Sequence, residues 1–355
     1  MKAQISKTHS HADVATLALP THSEHCITVQ ASEYGKMDAL LRQAVEKRDA
    51  TLLSRFVFAG THHCEESADA VWLQGDACED GDLYSMQAVA LSGLDPQPLC
   101  FNGRDMGFTY EDDSAFYCRL RGIVPQDLNA SRTDQTRSAF EIMSAALQAA
   151  GFQFTDTVRT WIYLDRLLEW YDDFNVVRTA FFEESGIFDV MVPASTGIGA
   201  ANQFGGAIMM DMLAVRPKDD HLTIRPVDSP LQNPALDYKS SFSRAVEMAY
   251  PTHKNLFISG TASIDPEGRT VHLNDPEKQI RLTMDVVREI LESRGMGWDD
   301  LFRGIAYFKN MAYKPLYEKV ALELGIPHFP LAISHADVCR HDLLFEIEVD
   351  AVQIA

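Results

Sequence analysis

Long apolar runs, an excess of basic residues and paired cysteines are all missing from this 355-residue chain. No stretch approaches the ~20 apolar residues that span a bilayer, so no transmembrane helix is expected. Lys and Arg number 31 against 51 Asp and Glu, giving a formal net charge of −20 and a pI of about 4.9. That balance argues against nucleic-acid and anionic-membrane partners. An anionic substrate would then need a local concentration of arginines, so each Arg beside a motif carries weight. The six cysteines (26, 64, 78, 100, 118 and 339) are scattered and form no CxxC pair. This reads as a reduced, cytoplasmic protein whose thiols are mostly structural. The N-terminus lacks the apolar core of a signal peptide and reads as a polar lead-in. No GxSxG marks a serine nucleophile. No GxGxxG or Walker sequence implies a nucleotide cofactor. "THHCEE" at 61–66 lacks the ligand spacing of a metal site and reads as a loop after a strand. Neither a metal nor a cofactor is expected.

What is present is a repeated pattern. An amphipathic helix is followed by a turn and a hydrophobic strand. In "DQTRSAFEIMSAALQAAG" (134–151), Ala139, Ile142, Met143, Ala146 and Leu147 form one stripe and Gly151 is a suitable C-cap. The strand "TDTVRTWIYLD" follows. A second copy, 275–308, carries Ile280, Met284, Val287, Ile290 and Leu291, with Pro276 at the helix start. Its helix ends at Gly295, ahead of "WDDLFRGIAYFKN". A weaker copy at 36–60 has the helix and the strand but no Gly between them. The two strong copies continue into a second helix (167–185 and 314–325), a Pro-containing segment and a closing strand (205–217 and 343–352). Each also begins with strands, at 115–125 and 255–265. The unit is β-β-α-β-α-β over roughly 110 residues, and its recurrence marks an internal repeat. Residues 217–240 are rich in Pro and Asp and read as a connection.

The last strand raises a question of chemistry. In "LLFEIEVDAV" (343–352), Leu343, Phe345, Ile347 and Val349 share one face, while Leu344, Glu346, Glu348 and Asp350 share the other. Three aligned carboxylates mean either a solvated strand face or a catalytic acid.

The units resemble the Rid/YjgF superfamily, whose small domains form trimers with active sites between neighbours. More specifically, the chain resembles the chorismatases. The supporting stretches are "GFTYEDDSAFY" (107–117), "VRTWIYL" (158–164), "VPASTGIG" (192–199), "SPLQNPALDYKSSFSRAV" (229–246), "LFISGTASI" (256–264) and "DVCRHDLLFEIE" (337–348). The resemblance implies an α+β fold of tandem Rid/YjgF-like (chorismate-mutase-like) units, fused into an intramolecular pseudo-trimer. Its division would be a lead-in at 1–24, a truncated unit at 25–98, a unit at 99–220, a connection at 221–240 and a final unit at 241–355. Free-standing Rid deaminases carry a carboxylate-binding Arg shortly after a Pro-Ala. Here the equivalent places read Pro193-Ala194-Ser195 and Pro330-Leu331-Ala332, so the Arg is absent.

The implied reaction is cleavage of the enolpyruvyl ether of chorismate, or a related acid, to pyruvate and a hydroxybenzoate-type product. It needs a proton delivered to a vinyl carbon. A carboxyl holds a proton near pH 7 only if burial raises its pKa. Glu346 matches the proton donor that the resemblance marks. Glu348 is expected to take little direct part, and Asp350 to lie at the surface. For the substrate carboxylates the first candidate is Arg159, whose competing role is a salt bridge to a neighbouring acid. Lys309, Arg340, Arg178 and Arg121 are weaker candidates, the last two expected in exposed structural roles. Tyr110 and Tyr163 are candidate donors, each weighed against a packed core aromatic. Gly260 in "SGTAS" implies close approach of backbone to a ligand, or a bend. With Cys339 it resembles the pair that in chorismatases selects 3-hydroxybenzoate. The middle unit has Met209 where the last has Glu346, so its cleft is expected to be silent. The rival readings are a Rid-like enamine/imine deaminase or tautomerase, and a non-catalytic metabolite-binding protein. The expected partner is a small anionic carboxylate, and the expected assembly a monomer or small homo-oligomer.

Overall fold

In the computed structural model the described residues are 3–9, 12–59, 70–75, 83–235 and 240–355. The "THHCEE" stretch lies outside them. Three units share one strand order. The first contains β2 (Asp13–Ala18), β3 (Ser23–Val29), α1 (Tyr34–Glu46), β4 (Thr51–Ala59), β5 (Ala70–Gly75) and β6 (Leu83–Ser92). The second contains β8 (Arg104–Glu111), β9 (Ala115–Ile123), α2 (Arg132–Ala149), β10 (Thr157–Leu164), α3 (Tyr171–Glu184), the short α4 (Ile187–Val190), β11 (Ala194–Asn202) and β12 (Ile208–Pro217). The third contains β14 (Ala245–Ala249), β15 (His253–Ala262), α5 (Pro276–Ser293), β16 (Leu301–Phe308), α6 (Lys314–Glu323), β17 (Leu331–His335) and β18 (Phe345–Ile354). The strand orders are β2-β3-β6-β4-β5, β8-β9-β12-β10-β11 and β14-β15-β18-β16-β17. In each, the closing strand is inserted between the second and third strands. Antiparallel pairing of β11 with β5 joins the first two units into one twelve-stranded sheet.

The helices start and stop for local reasons. Ser131 and Asp275 cap α2 and α5 by accepting from the Asp134 and Lys278 amides. Gly151 and Gly295 turn the chain out with φ of +82° and +72°. After α1 no glycine is available, and Asp49 takes the left-handed conformation instead, at φ +46°.

Two stretches differ from expectation. The polar lead-in is built into the sheet: β1 (Gln4–His9) pairs with β2, and Val14, Ala15 and Leu17 are buried. Interspersed His and Thr masked these apolar positions. In the 221–240 connection, β13 (Thr223–Val227) adds an edge strand to β14. Its Pro226 is tolerated there because an edge strand has backbone positions that need no donor. At the far edge of the large sheet, β7 (Gln97–Phe101) pairs with β8.

Each sheet buries one face beneath its own helices. Phe345, Ile347, Val349 and Ala351 pack with Ile280, Met284 and Val287 of α5. The opposite faces meet in a core shared by all three units. Register identifies equivalent places in it. Phe58, Tyr163 and Tyr307 lie opposite Ser85, Met209 and Glu346, respectively, on the closing strands. Two residues on, Gln87, Asp211 and Glu348 are equivalent. The carboxylate face of β18 therefore looks into the protein: Glu346, Glu348 and Asp350 are all buried. Asp350 is not a surface residue.

Candidate active site

A cleft of about 150 Å³ opens between the second and third units. The second unit contributes α3 and the start of β11. The third contributes β15, β18, the 339–340 turn and the segment leading into β14. The carboxyl of Glu346 projects into this cleft, with Gly260, Cys339, Arg178, Arg244 and Arg340 around it.

Gly260 sits where the β15–β18 register shifts, between Ile258 and Thr261, a bulge in the pairing. A Cβ at this place would stand 2.0 Å from Glu346 Oε1 and 3.0 Å from Cδ. Glycine is needed here for space: its φ is not in the left-handed region. The close approach foreseen from the sequence is therefore to the acid itself. The Gly260 amide donates to Thr196 Oγ1 at 3.1 Å, docking β15 onto β11 of the neighbouring unit.

Burial pushes the Glu346 carboxyl up to about 8, and the nearby charge of Glu348 adds to the effect, while Arg159 and Arg244 oppose it. None of the described residues donates a hydrogen bond to it. A carboxyl in this setting keeps its proton at neutral pH and can deliver it.

Glu348 has the opposite character. Arg159 Nη2 and Arg303 Nη2 each donate to it at 2.9 Å, and Trp161 Nε1 donates at 2.8 Å. Although burial works against it, these partners hold its pKa below the usual carboxylate range. Arg303 also pairs with Asp350 and donates to Gln87 Oε1 at 2.7 Å. Arg159 donates to Thr196 Oγ1 at 2.6 Å. A glutamate whose pKa is lowered by two arginines thus lies two residues along the strand from one whose pKa is raised by burial.

This arrangement separates the expected site residues. Glu346, Gly260 and Cys339 share the cleft. Arg159 does not line it. The arginine is fully buried and its guanidinium is taken by Glu348, which is the salt-bridge role weighed against substrate binding. Tyr163 is enclosed in the inter-unit core beside Phe56, with ring centroids 5.8 Å apart. Tyr110 stacks on Tyr117 at 4.8 Å and faces a separate internal cavity with Glu24, Arg119 and Tyr250. Lys309 Nζ donates to the His341 carbonyl at 2.9 Å and lies 3.3 Å from Asp337 Oδ1, outside the cleft.

Arg178 is buried and lines the cleft, contrary to the exposed role expected of it. Arg121 is buried too, donating to the Leu53 carbonyl and pairing with Asp105. Among the cleft residues that went unrecognised in the sequence are Arg244 and Tyr171. Arg244, inside "SSFSRAV", is held by two bonds from its guanidinium to the Asn233 carbonyl, at 3.0 and 2.8 Å. Tyr171, at the start of α3, hydrogen-bonds Ser240, and burial pushes its hydroxyl up to about 12. Thr196 joins the two units. An Arg just before a core strand was the available signal for Arg244.

Comparison with known proteins follows the same lines. The family model described as "Chorismatase FkbO/Hyg5-like, N-terminal" matches residues 100–214, and that described as "Endoribonuclease L-PSP" matches residues 233–353. The chain is similar to a 3-hydroxybenzoate synthase of Streptomyces hygroscopicus, with 29% identity over 275 residues, 70% of this chain and 77% of that protein. A chorismatase of the same organism is 27% identical over 274 residues, 70% of this chain and 75% of that one. Among solved structures, a chorismatase crystal structure superposes with a TM-score of 0.70 at 21% identity, covering 94% of this chain and all of the other. That likeness shows a shared fold.

Proposed function

Because this chain belongs to the chorismatase-like branch of the Rid/YjgF superfamily, we propose that it cleaves the enolpyruvyl ether of chorismate to pyruvate and a hydroxybenzoate, with Glu346 as general acid. The observation that carries the reading is the carboxyl of Glu346, buried in a cleft between units beside three arginines, where burial raises it to about 8.

Glu346 delivers its proton to the terminal carbon of the enolpyruvyl group. Positive charge develops at the ether carbon and is shared with the ether oxygen. Water adds to this cation, and the hemiketal collapses with cleavage of the bond between the ether oxygen and the pyruvyl carbon, releasing pyruvate, returning a proton to the acid and leaving a hydroxyl on the ring. Departure of the other ring hydroxyl as water, together with a ring proton, aromatises the ring. The water taken up is thereby returned, so chorismate is converted to pyruvate plus a hydroxybenzoate with no net water consumed. Arg178, Arg244 and Arg340 hold the two substrate carboxylates, since guanidinium forks match carboxylates bidentately. General-acid catalysis of this kind contributes on the order of 10²–10⁴-fold. Gly260 and Cys339 favour 3-hydroxybenzoate as the aromatic product. The reaction needs no cofactor, and one cytoplasmic chain supplies both sides of the cleft, so a monomer suffices.

Incubation with chorismate tests the proposal. Pyruvate is followed by coupled reduction to lactate, and the aromatic acid by chromatography. Equimolar pyruvate and 3-hydroxybenzoate are expected. Ammonia release from freshly generated 2-aminoacrylate without pyruvate from chorismate would favour the deaminase reading. No turnover of either would leave a metabolite-binding protein.

A further inference from the structure

A second chemically distinct cluster lies away from the cleft, where the N-terminal hairpin of the first unit meets the α6–β17 loop of the third. His9 closes β1, Asp13 opens β2, and the two face each other across the hairpin. His328 reaches them from more than 300 residues along the chain. His9 Nδ1 lies 3.1 Å from Asp13 Oδ1, and His328 Nε2 lies 2.9 Å from the same oxygen. The imidazole rings meet edge to face, with centroids 4.3 Å apart and planes at 78°. One donor atom from each of the three residues falls within 4.8 Å of the other two. We propose that His9, Asp13 and His328 form a binding site for a divalent transition metal of the zinc type, which clips the N-terminal hairpin to the third unit.

The donor set is two imidazole nitrogens and one carboxylate oxygen. This combination suits zinc-type ions better than calcium or magnesium, which take oxygen ligands. Tetrahedral coordination at about 2.0–2.1 Å puts neighbouring donors about 3.3 Å apart. The two His–Asp separations are within a few tenths of an ångström of that, and the two imidazole donors, already within 4.8 Å of each other, close the remainder by side-chain rotation. The side chains of His9 and His328 are 39% and 63% exposed. They are therefore free to make this adjustment, and an ion has a path in. With three protein ligands the fourth position falls to water. The convergence is not a product of neighbouring sequence, because His328 and the hairpin meet only when the three units close.

The test uses the full-length, tag-free chain after treatment with a chelator. Titration with Zn²⁺ should show one bound ion per chain, and Co²⁺ should give the intense visible absorption of a tetrahedral centre. Affinity should fall by at least on the order of 10–100-fold in H328A and in D13N. The melting temperature of the unsubstituted chain should rise on Zn²⁺ addition and that of H328A should not. Pyruvate formation should be unchanged in H328A, a substitution at an exposed side chain that leaves the fold intact. A variant with His62, His63 and Cys64 replaced by Ser serves as control. The proposal is overturned if the chain takes up no Zn²⁺, if H328A binds as tightly as the parent, or if binding disappears only in the 62–64 variant.

Discussion

Replacing Glu346 by Gln should separate catalysis from stability, moving the two in opposite directions. Gln copies the shape and neutrality of the protonated carboxyl but has no proton to give. Loss of the acid should lower kcat by on the order of 10²–10⁴-fold, about 3–5 kcal/mol of barrier, with KM little changed. The effect on stability follows from the carboxyl being raised from its ordinary 4.5 to about 8. Between those values the folded chain holds a proton that the unfolded chain has released. Stability contributed at this site therefore falls as pH rises from about 4.5 to 8, and levels off above. The full interval amounts to roughly 3–5 kcal/mol. Glu346→Gln does not titrate, so its melting temperature should match the parent near pH 4.5 and exceed it increasingly toward pH 8. In the parent, kcat/KM for chorismate should be level at neutral pH and decline above about pH 8, as the acid is lost. Coupled pyruvate assays and thermal melts over this range provide both readouts. A Gln variant with full activity, or one no more stable than the parent at pH 8, would refute the assignment.

Gly260→Ala places a methyl 2.0 Å from Glu346 Oε1. The obstructed atom ends a flexible side chain, so melting should change little while kcat/KM falls on the order of 10²-fold through a displaced acid, with an altered ratio of aromatic products by chromatography. Arg244→Leu removes a cation from the cleft. A charge-assisted contact of about 1.5–3 kcal/mol predicts a rise in KM for chorismate of roughly 10–100-fold, measured by initial rates. Glu348→Ala strips the guanidinium of Arg159 of its carboxylate partner inside the protein and leaves Arg303 with Asp350 alone. A loss of about 3–5 kcal/mol is expected in denaturant titration, and an unchanged midpoint would contradict the pairing.

The repeat was legible because its signals are local. Helical stripes ending at Gly151 and Gly295, strands of period two and Pro-containing closers recur along the chain. The pairing of Gln4–His9 with Asp13–Ala18 was not legible, since these short strands carry more polar than apolar residues and their burial comes from distant partners. Of the residues that the resemblance singled out, Glu346, Gly260 and Cys339 come together in one cleft. The mistaken emphasis on Arg159 has a physical source: an Arg on a central strand must be paired, and sequence alone does not say whether substrate or protein supplies the partner. Arg303, at the equivalent place in the third unit by register with its closing strand, carries the same ambiguity and joins the same carboxylate. Arg178 and Arg244 reach the cleft only through the docking of two units, which no local pattern encodes.

The inequality of Ser85, Met209 and Glu346 has a bearing on what substitution can accomplish. In an assembly of three identical chains, any residue change is made in triplicate, and a carboxylate placed at an inward-facing position brings two copies of itself. Linking the units in one polypeptide removes that multiplicity. One position can hold an acid, its counterpart a thioether packed in the core, and the third a hydroxyl that bonds the backbone of Ile333 at 2.7 Å. Each junction then answers to its own demands. One is free to specialise in chemistry while the other two serve cohesion, and a variant at the first leaves the adhesive contacts of its sisters intact.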